Sequence, residues 1–285
     1  MKRAVWLGVG LSLVVVAVAV PAVVRNCSNI TDKHFLSPQE RVAKARELKD
    51  SSIRAQIKNL DVPYPPGELY LRAFKQERIL EIWVGKLDQP LKLFRTYPIA
   101  GMSGTLGPKR KEGDQQVPEG FYQIDRFNPA SKFHLSLGLN YPNESDRIRS
   151  DRKKPGSDIF IHGDTRSIGC LAMTDELIRE IYLIALDFRT SRKAPIPVHI
   201  FPFRMTPRAS RAFAETFPQH ARLWAELQPA FQNFEVRRLV PKVRVESDGR
   251  YTLVPSSERA RMKGIYADRP HRGSYPPRGR AGADL

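Results

Sequence analysis

The stretch Ile159-Phe160-Ile161-His162-Gly163-Asp164-Thr165-Arg166-Ser167-Ile168-Gly169-Cys170 constrains this chain more than any other. It opens on an apolar, β-branched run that reads as a buried strand. A His-Gly pair, a short polar loop and a Ser-x-Gly-Cys turn follow. Downstream, Thr174 can cap a helix whose first turn holds Asp175 and Glu176 and whose apolar side is Leu177, Ile178, Ile181 and Tyr182. A thiol becomes a useful nucleophile when a neighbouring imidazole lowers its pKa or takes its proton, which makes Cys170 and His162 the candidate pair. Gly169 lets backbone approach closely, so the amides of Gly169 and Cys170 are expected to face a developing oxyanion. Taken alone, a Cys is more often a small buried hydrophobe, and a Cys-His pair specifies chemistry only loosely.

The wider pattern adds specificity. IHG followed by SxGC resembles the L,D-transpeptidase catalytic domain (YkuD-like) family. More narrowly, IHGDTRSIGCLAMTD, with GPKRKEGDQQVPEGFY before it and VHIFPFRMT after it, is similar to the YafK-type murein branch of that family. The resemblance covers Leu69 to Thr206. It implies a predominantly β fold, an L,D-transpeptidase-like β-sandwich with flanking α-helices. It also implies a cysteine-dependent transpeptidase that works on peptidoglycan stem tetrapeptides through a thioacyl-enzyme, with no cofactor.

On the same resemblance Cys170 is the nucleophile and His162 the general base and acid. The Gly163 carbonyl orients the imidazole, and Gly169 with Ser167 supports the oxyanion. Tyr141 and Arg147, in a segment similar to the branch's PNxxDR element, and Arg166 are the candidates for gripping a stem carboxylate, Arg being suited to it by its bidentate fork. Ile168 stands where most of the broad family carries a second His, and is expected to make one wall of the pocket drier. Two rivals stay open: a peptidoglycan hydrolase or amidase on the same scaffold, and an anchored wall-binding protein with a vestigial site.

The N-terminus sets the compartment. Met1-Lys2-Arg3 precedes an apolar run from Ala4 to Val24 with no charge before Arg25. Such a segment is an export signal or a membrane anchor, and it is long enough to span, about 20 residues being needed. Either reading places the remainder outside the cytoplasm, in a periplasm, and the uncleaved anchor, the reading preferred, associates the chain with the inner membrane through its N-terminus. Of the two cysteines, Cys27 sits at the membrane exit and Cys170 in the catalytic motif, so Cys170 is expected to be free. The net charge of +17 raises nucleic acid as a partner. The basic residues are spread, no nucleic-acid module is present and export removes genomic partners, which leaves lipid headgroups and the carboxylate-rich stems of the wall. The expected partners are therefore peptidoglycan stem peptides and an amine acceptor or wall-linked protein.

The rest of the chain divides by pattern. After the signal or anchor (1–25), Ser37-Pro38-Gln39-Glu40 starts a helical stalk or packing element over 37–61. Asp61-Val62-Pro63-Tyr64-Pro65-Pro66-Gly67 breaks it and opens the catalytic domain, 62–206. From Glu68 the period becomes two, and three strands read as an antiparallel sheet with one face buried. Gly101 to Arg110 looks like a phosphate loop only superficially, lacks P-loop spacing, and reads as a mobile loop bordering the site. Phe133 to Leu139 alternates as a further strand, and Asn140 to Arg147 follows as a loop. Ile196 to Phe201 is a last strand whose prolines favour an edge. His134 and His199 lack the spaced clusters of a metal site, so none is expected. A helical and β extension occupies 207–255, its buried side being Phe213, Phe217, Leu223, Trp224 and Leu227. A basic tail rich in Arg, Gly and Pro, 256–285, is expected to be disordered.

Overall fold

The computed structural model describes residues 36–255. The apolar N-terminal segment, Cys27 and the basic tail lie outside the described residues. Among the described residues no helix is long and apolar enough to cross a membrane. The elements run α1 (Pro38–Asn59), β1 (Glu68–Phe74), β2 (Ile79–Gly85), β3 (Lys92–Pro98), β4 (Gly120–Asn128), β5 (Ser136–Leu139) and α2 (Glu144–Arg149). There follow β6 (Phe160–His162), β7 (Leu171–Ala172), α3 (Asp175–Arg192), β8 (Ile196–Phe201), α4 (Pro207–Thr216) and α5 (Ala221–Arg237), then β9 (Val243–Val245) and β10 (Tyr251–Leu253).

One sheet joins eight strands in the order β3-β2-β1-β8-β4-β5-β6-β7. It is mixed: β1 with β8 and β6 with β7 are parallel, the other pairs antiparallel. The sheet curls until its edges meet. The chain just past β3 closes on β7, where Ala100 and Gly101 N–H donate to the Ala172 carbonyl at 2.8 and 3.1 Å and Ala172 N–H returns to the Gly101 carbonyl at 3.0 Å. Helix α3 fills the curl and is buried without a break from Ile178 to Ala185. Alternate sheet residues (Leu69, Leu71 and Ala73; Leu80, Ile82 and Val84; Leu135, Leu137 and Leu139) join it in one core. Each leucine, isoleucine or valine among them, taken out of water, contributes roughly 1.5–3 kcal/mol. On the outer face Phe74, Phe201 and Phe203 pack against Leu223, Trp224, Leu227 and Phe231 of α5 and Tyr251 of β10.

The expected β-sandwich is thus one curled sheet with flanking helices, and its filling is a helix rather than a second sheet. The expectation of one buried face also changes. Both faces of β1 and β2 are covered, and Arg72 and Glu81, opposite each other in register, form a buried ion pair at 2.7 Å. Strand β8 is central, between β1 and β4, not at an edge. Gln123, the partner of Pro197 in β4, directs its N–H and C=O to Asn140, and pairing with β1 starts only at Val198. The proline therefore stands where its missing N–H breaks no ladder bond. Residues 37–61 are a packing element rather than a stalk, since Ala45, Ile53 and Ile57 of α1 belong to the main core. That helix starts on a capping box: the Ser37 hydroxyl accepts Glu40 N–H at 3.3 Å, and the Glu40 carboxylate accepts Ser37 N–H at 2.7 Å. Of the segment expected as a loop, Asn140 to Asn143 is one, but from Glu144 it is a short helix, because Asn143 caps α2 and Asp146 completes a second box. Of the expected buried side of the extension, Leu223, Trp224 and Leu227 are buried, while Phe213 and Phe217 are only partly so.

Candidate active site

The motif splits between two parallel neighbours. His162 ends β6 and lies opposite Ala172 of β7, and Cys170 immediately precedes β7. Ile161 points into the core, so by the two-residue period Phe160 and His162 point to the other face. Cys170 stands level with Phe160, whose N–H donates to its Sγ at 3.4 Å; the thiol lies 3.6 Å from the Asp158 carbonyl. The turn before it is fastened by Ser167, whose hydroxyl donates to the Cys170 carbonyl at 2.6 Å and accepts Gly169 N–H at 3.3 Å. Gly169 has φ +123°, and a Cβ there would lie 3.1 Å from the Gln116 carbonyl. Glycine is the residue that permits both.

His162 is buried, with Nδ1 2.5 Å from the Gly163 carbonyl. With Nδ1–H donated there, Nε2 carries the lone pair that can accept a proton. The ring of Phe133 lies over the imidazole, centroids 4.7 Å apart and planes inclined by 31°. The backbone around the imidazole is tied on several sides. Gly163 N–H donates to Leu135, Met173 N–H to the His162 carbonyl at 2.7 Å, and Asp164 N–H to the Asp175 carboxylate at 2.8 Å. Thr174 caps α3 by accepting Leu177 N–H at 3.3 Å, with Asp175 and Glu176 in the first turn. Burial pushes the Cys170 thiol up from its ordinary range, and the charge of Asp158 adds to this. The Phe160 N–H and Lys109 oppose it less strongly. The resting group at neutral pH is therefore a thiol, and a base must take its proton at the moment of attack.

The loop from Gly101 to Arg110, expected to be mobile, belongs to a connection running on to Val117 that is held at several points. The Asp114 carboxylate accepts Lys109 Nζ at 2.6 Å and the N–H groups of Arg110, Lys111 and Gln116 at 2.8, 3.0 and 3.1 Å. Beneath it the buried Lys75 donates to the carbonyls of Gly107 and Val117 and pairs with Glu119 at 3.0 Å. Glu119 also accepts Trp224 Nε1–H at 2.8 Å, which ties the loop to α5.

The other expected residues are dispersed. Tyr141 is buried and donates its hydroxyl proton to the Pro155 carbonyl at 2.8 Å, so it has no donor left for a substrate carboxylate. Arg147 is exposed on α2. Arg166 is exposed in the loop before Cys170 and reaches Asp164 at 3.3 Å. Ile168 is 80% exposed, so it does not form the dry pocket wall expected of it. His199 lies on the outer face with Tyr70 Oη at 2.7 Å from Nδ1, and burial pushes its pKa down to about 3. His134 accepts Arg179 Nε–H at 3.2 Å. No group of His, Cys, Asp and Glu among the described residues could hold a metal ion. Sequence reasoning missed Phe133, Lys109, Gln116 and Asp158. Only Lys109 and Gln116 had a signal, in GPKRKEGDQQVPEGFY.

The family model for the L,D-transpeptidase catalytic domain (YkuD) matches residues 70–200. The chain is 35% identical over 187 residues to YafK of Escherichia coli strain K12, a protein named provisionally as an L,D-transpeptidase. The match covers 65% of this chain and 73% of that one, and the same protein of strain O157:H7 matches equally. Two solved structures are more distantly similar. The helical cell shape determining protein Pgp2 of Campylobacter jejuni is 16% identical, with a TM-score of 0.40 over 63% of this chain and 73% of that one. Bd1075 of Bdellovibrio bacteriovorus is 20% identical, with a TM-score of 0.36 over 60% of this chain and 64% of that one.

Proposed function

The chain belongs to the L,D-transpeptidase catalytic-domain family, and on that premise we propose that it is a cysteine-dependent L,D-transpeptidase acting on peptidoglycan stem tetrapeptides. The observation that carries the proposal is the register of β6 and β7, with Cys170 level with Phe160 and His162 two residues on along the same face. His162 Nε2 takes the thiol proton, and Sγ attacks the carbonyl of the L-centre of the third stem residue. The tetrahedral intermediate collapses with loss of the terminal D-alanine, whose nitrogen receives that proton from His162. An amine then attacks the thioester, gives up its proton to His162 and releases Cys170. The Gly163 carbonyl fixes the tautomer that this exchange requires.

The Cys170 amide and that of Gly169 serve the oxyanion. The 3.3 Å bond from Gly169 to Ser167 is a long, neutral one, weaker than a bond to a developing charge. Arg166 and Arg147 are the carboxylate grips, and no cofactor takes part. The N-terminal segment exports the chain and holds it at the inner membrane, with the catalytic domain in the periplasm. The alternative on the same scaffold is hydrolysis, in which water replaces the amine and a crosslink or wall-linked protein is cut. Incubating the protein with purified muropeptides and resolving the products by mass spectrometry tests both. Cys170→Ala is expected to abolish every product while the fold persists. Full activity in that variant would remove the nucleophile and favour a wall-binding role.

A further inference from the structure

Beside the thiol stands a charge that the reaction as described leaves unused. Asp158 turns its carbonyl to Cys170 Sγ at 3.6 Å from a backbone with φ +56°, a region that Asp tolerates better than most residues. Its carboxylate remains 63% exposed yet is fixed on both oxygens. Oδ1 accepts Arg126 Nη1–H at 2.9 Å and Oδ2 accepts the Ser157 hydroxyl at 3.1 Å. Arg126 is itself laid over the Phe160 ring at 5.0 Å, and its Nε passes so near Gly138 that a Cβ there would come within 2.7 Å. A carboxylate oxygen has two acceptor positions, so each oxygen of this exposed group keeps one to spare.

An exposed ion pair of this kind contributes little to stability. A negative charge next to a nucleophilic thiol also works against the thiolate, and the buried cation on that thiol, Lys109, is already engaged by Asp114. Such a charge is an advantage only if a cation comes to it during the reaction. We propose that the Asp158 carboxylate binds the cationic nitrogen of the amine partner, the acceptor in transfer and the released amine in cleavage. This rests on the reading of Cys170 as the acyl carrier. It holds for transfer and hydrolysis alike, because the amine that leaves and the amine that attacks occupy the same side of the thioester. The acceptor attacks as the free amine, one ammonium proton passing to solvent beforehand and the next going to His162 on attack. In the free enzyme, where Cys170 is a thiol, an ammonium bound at Asp158 offsets that charge and favours the thiolate, which makes its binding readable.

The test is the pH profile of Cys170 alkylation by iodoacetamide in the full chain, read at the Cys170 peptide by mass spectrometry. It is run in ethylammonium chloride and in tetramethylammonium chloride at equal ionic strength. Ethylammonium is expected to lower the midpoint saturably, by roughly one pH unit or less, the scale of an opposite charge nearby; tetramethylammonium, which has no N–H, does not. Asp158→Asn starts from the lowered midpoint and does not respond. With a tetrapeptide donor, the same variant raises the acceptor KM about tenfold, a larger change than in kcat, as expected for a lost contact of about 1.4 kcal/mol. An absent ethylammonium effect in the wild type, or an equal one in Asp158→Asn, overturns the proposal. If the wild type forms no thioacyl-enzyme, the transpeptidase reading fails, and the alkylation profile still decides the role of Asp158.

Discussion

Closure of the sheet at Gly101 can be broken by one methyl group. A Cβ on Gly101 would lie 1.8 Å from the Thr165 carbonyl oxygen and 2.6 Å from its carbon, both backbone atoms, and 3.2 Å from the Ala172 Cβ. Bringing the first contact out to 3.0 Å needs a backbone shift of 3.0 − 1.8 = 1.2 Å. A shift of that size takes the bonds between residues 100–101 and Ala172, now 2.8–3.1 Å, to about 4 Å, beyond hydrogen-bond range. Each is worth about 1 kcal/mol, and overpacking adds about 1–3 kcal/mol. The three bonds together with the strain put the cost of Gly101→Ala at about 4–6 kcal/mol, a large part of the 5–15 kcal/mol usual for a domain. Alternatively the strain is relieved locally, and β7 opens. Urea denaturation reads the first outcome as a lowered midpoint. Faster Cys170 alkylation under native conditions reads the second, since the thiol is two residues from the broken bridge. Gly113→Ala is the control. Its Cβ meets nothing within 4 Å, and its φ of +74° costs about 1–2 kcal/mol. A Gly101→Ala protein no less stable than this control, with unchanged alkylation, would show that the edges do not close as described.

His162→Ala is expected to cut turnover by about two to four powers of ten, the scale of general base catalysis; steady-state rates with muropeptide donors check it. In the absence of substrate, alkylation of Cys170 keeps rising above its ordinary titration range, because burial holds the thiol up; a plateau at pH 7 would refute this. Burial likewise pushes the Asp146 carboxyl up to about 6. Its folded pKa thus exceeds the unfolded value, the native state binds more protons between about pH 4 and 6, and the contribution is full below that window. Stability should fall by up to about 3 kcal/mol as pH rises through 6. Asp146→Asn, which keeps an acceptor for the Tyr122 hydroxyl, flattens that part of the profile in urea titrations.

Much of the fold was legible where one periodicity prevailed. The Ser37 capping box, the β1–β2 hairpin and the α3 start at Thr174 follow from local rules that tertiary contacts had no reason to override. Reading failed where an element is covered on two sides. Arg72 and Glu81 look like the solvent face of an antiparallel pair, yet α5 covers that face and turns them into a buried pair. Pro197 argued for an edge, a sound inference for a strand laddered on both sides along its whole length. It fails here because the ladder to β1 begins one residue later.

The candidate site divides in the same way, and the division says where its specificity resides. Residues that share a motif, from His162 to Cys170, were readable because β6, the turn and β7 are consecutive and short. Most of what acts on them comes from farther away in sequence, Asp158, just before β6, being the exception. Phe133 reaches the imidazole from the connection before β5, Lys109 and Gln116 from a loop tied by Asp114 and Glu119, and Asp158 from the segment leading into β6. Phe133, Lys109 and Gln116 have no spacing rule relative to Cys170, because tertiary packing brings them there. The nucleophile and its base are thus set by local chain geometry. The charge that acts on the thiol is set by tertiary packing, and changing Asp114 should alter Cys170 reactivity through Lys109 without touching a motif residue. Asp114→Ala, which releases Lys109 and three loop amides together, is expected to shift the Cys170 alkylation profile while His162 and Cys170 keep their register. An unmoved profile would mean that the loop contributes shape and no charge.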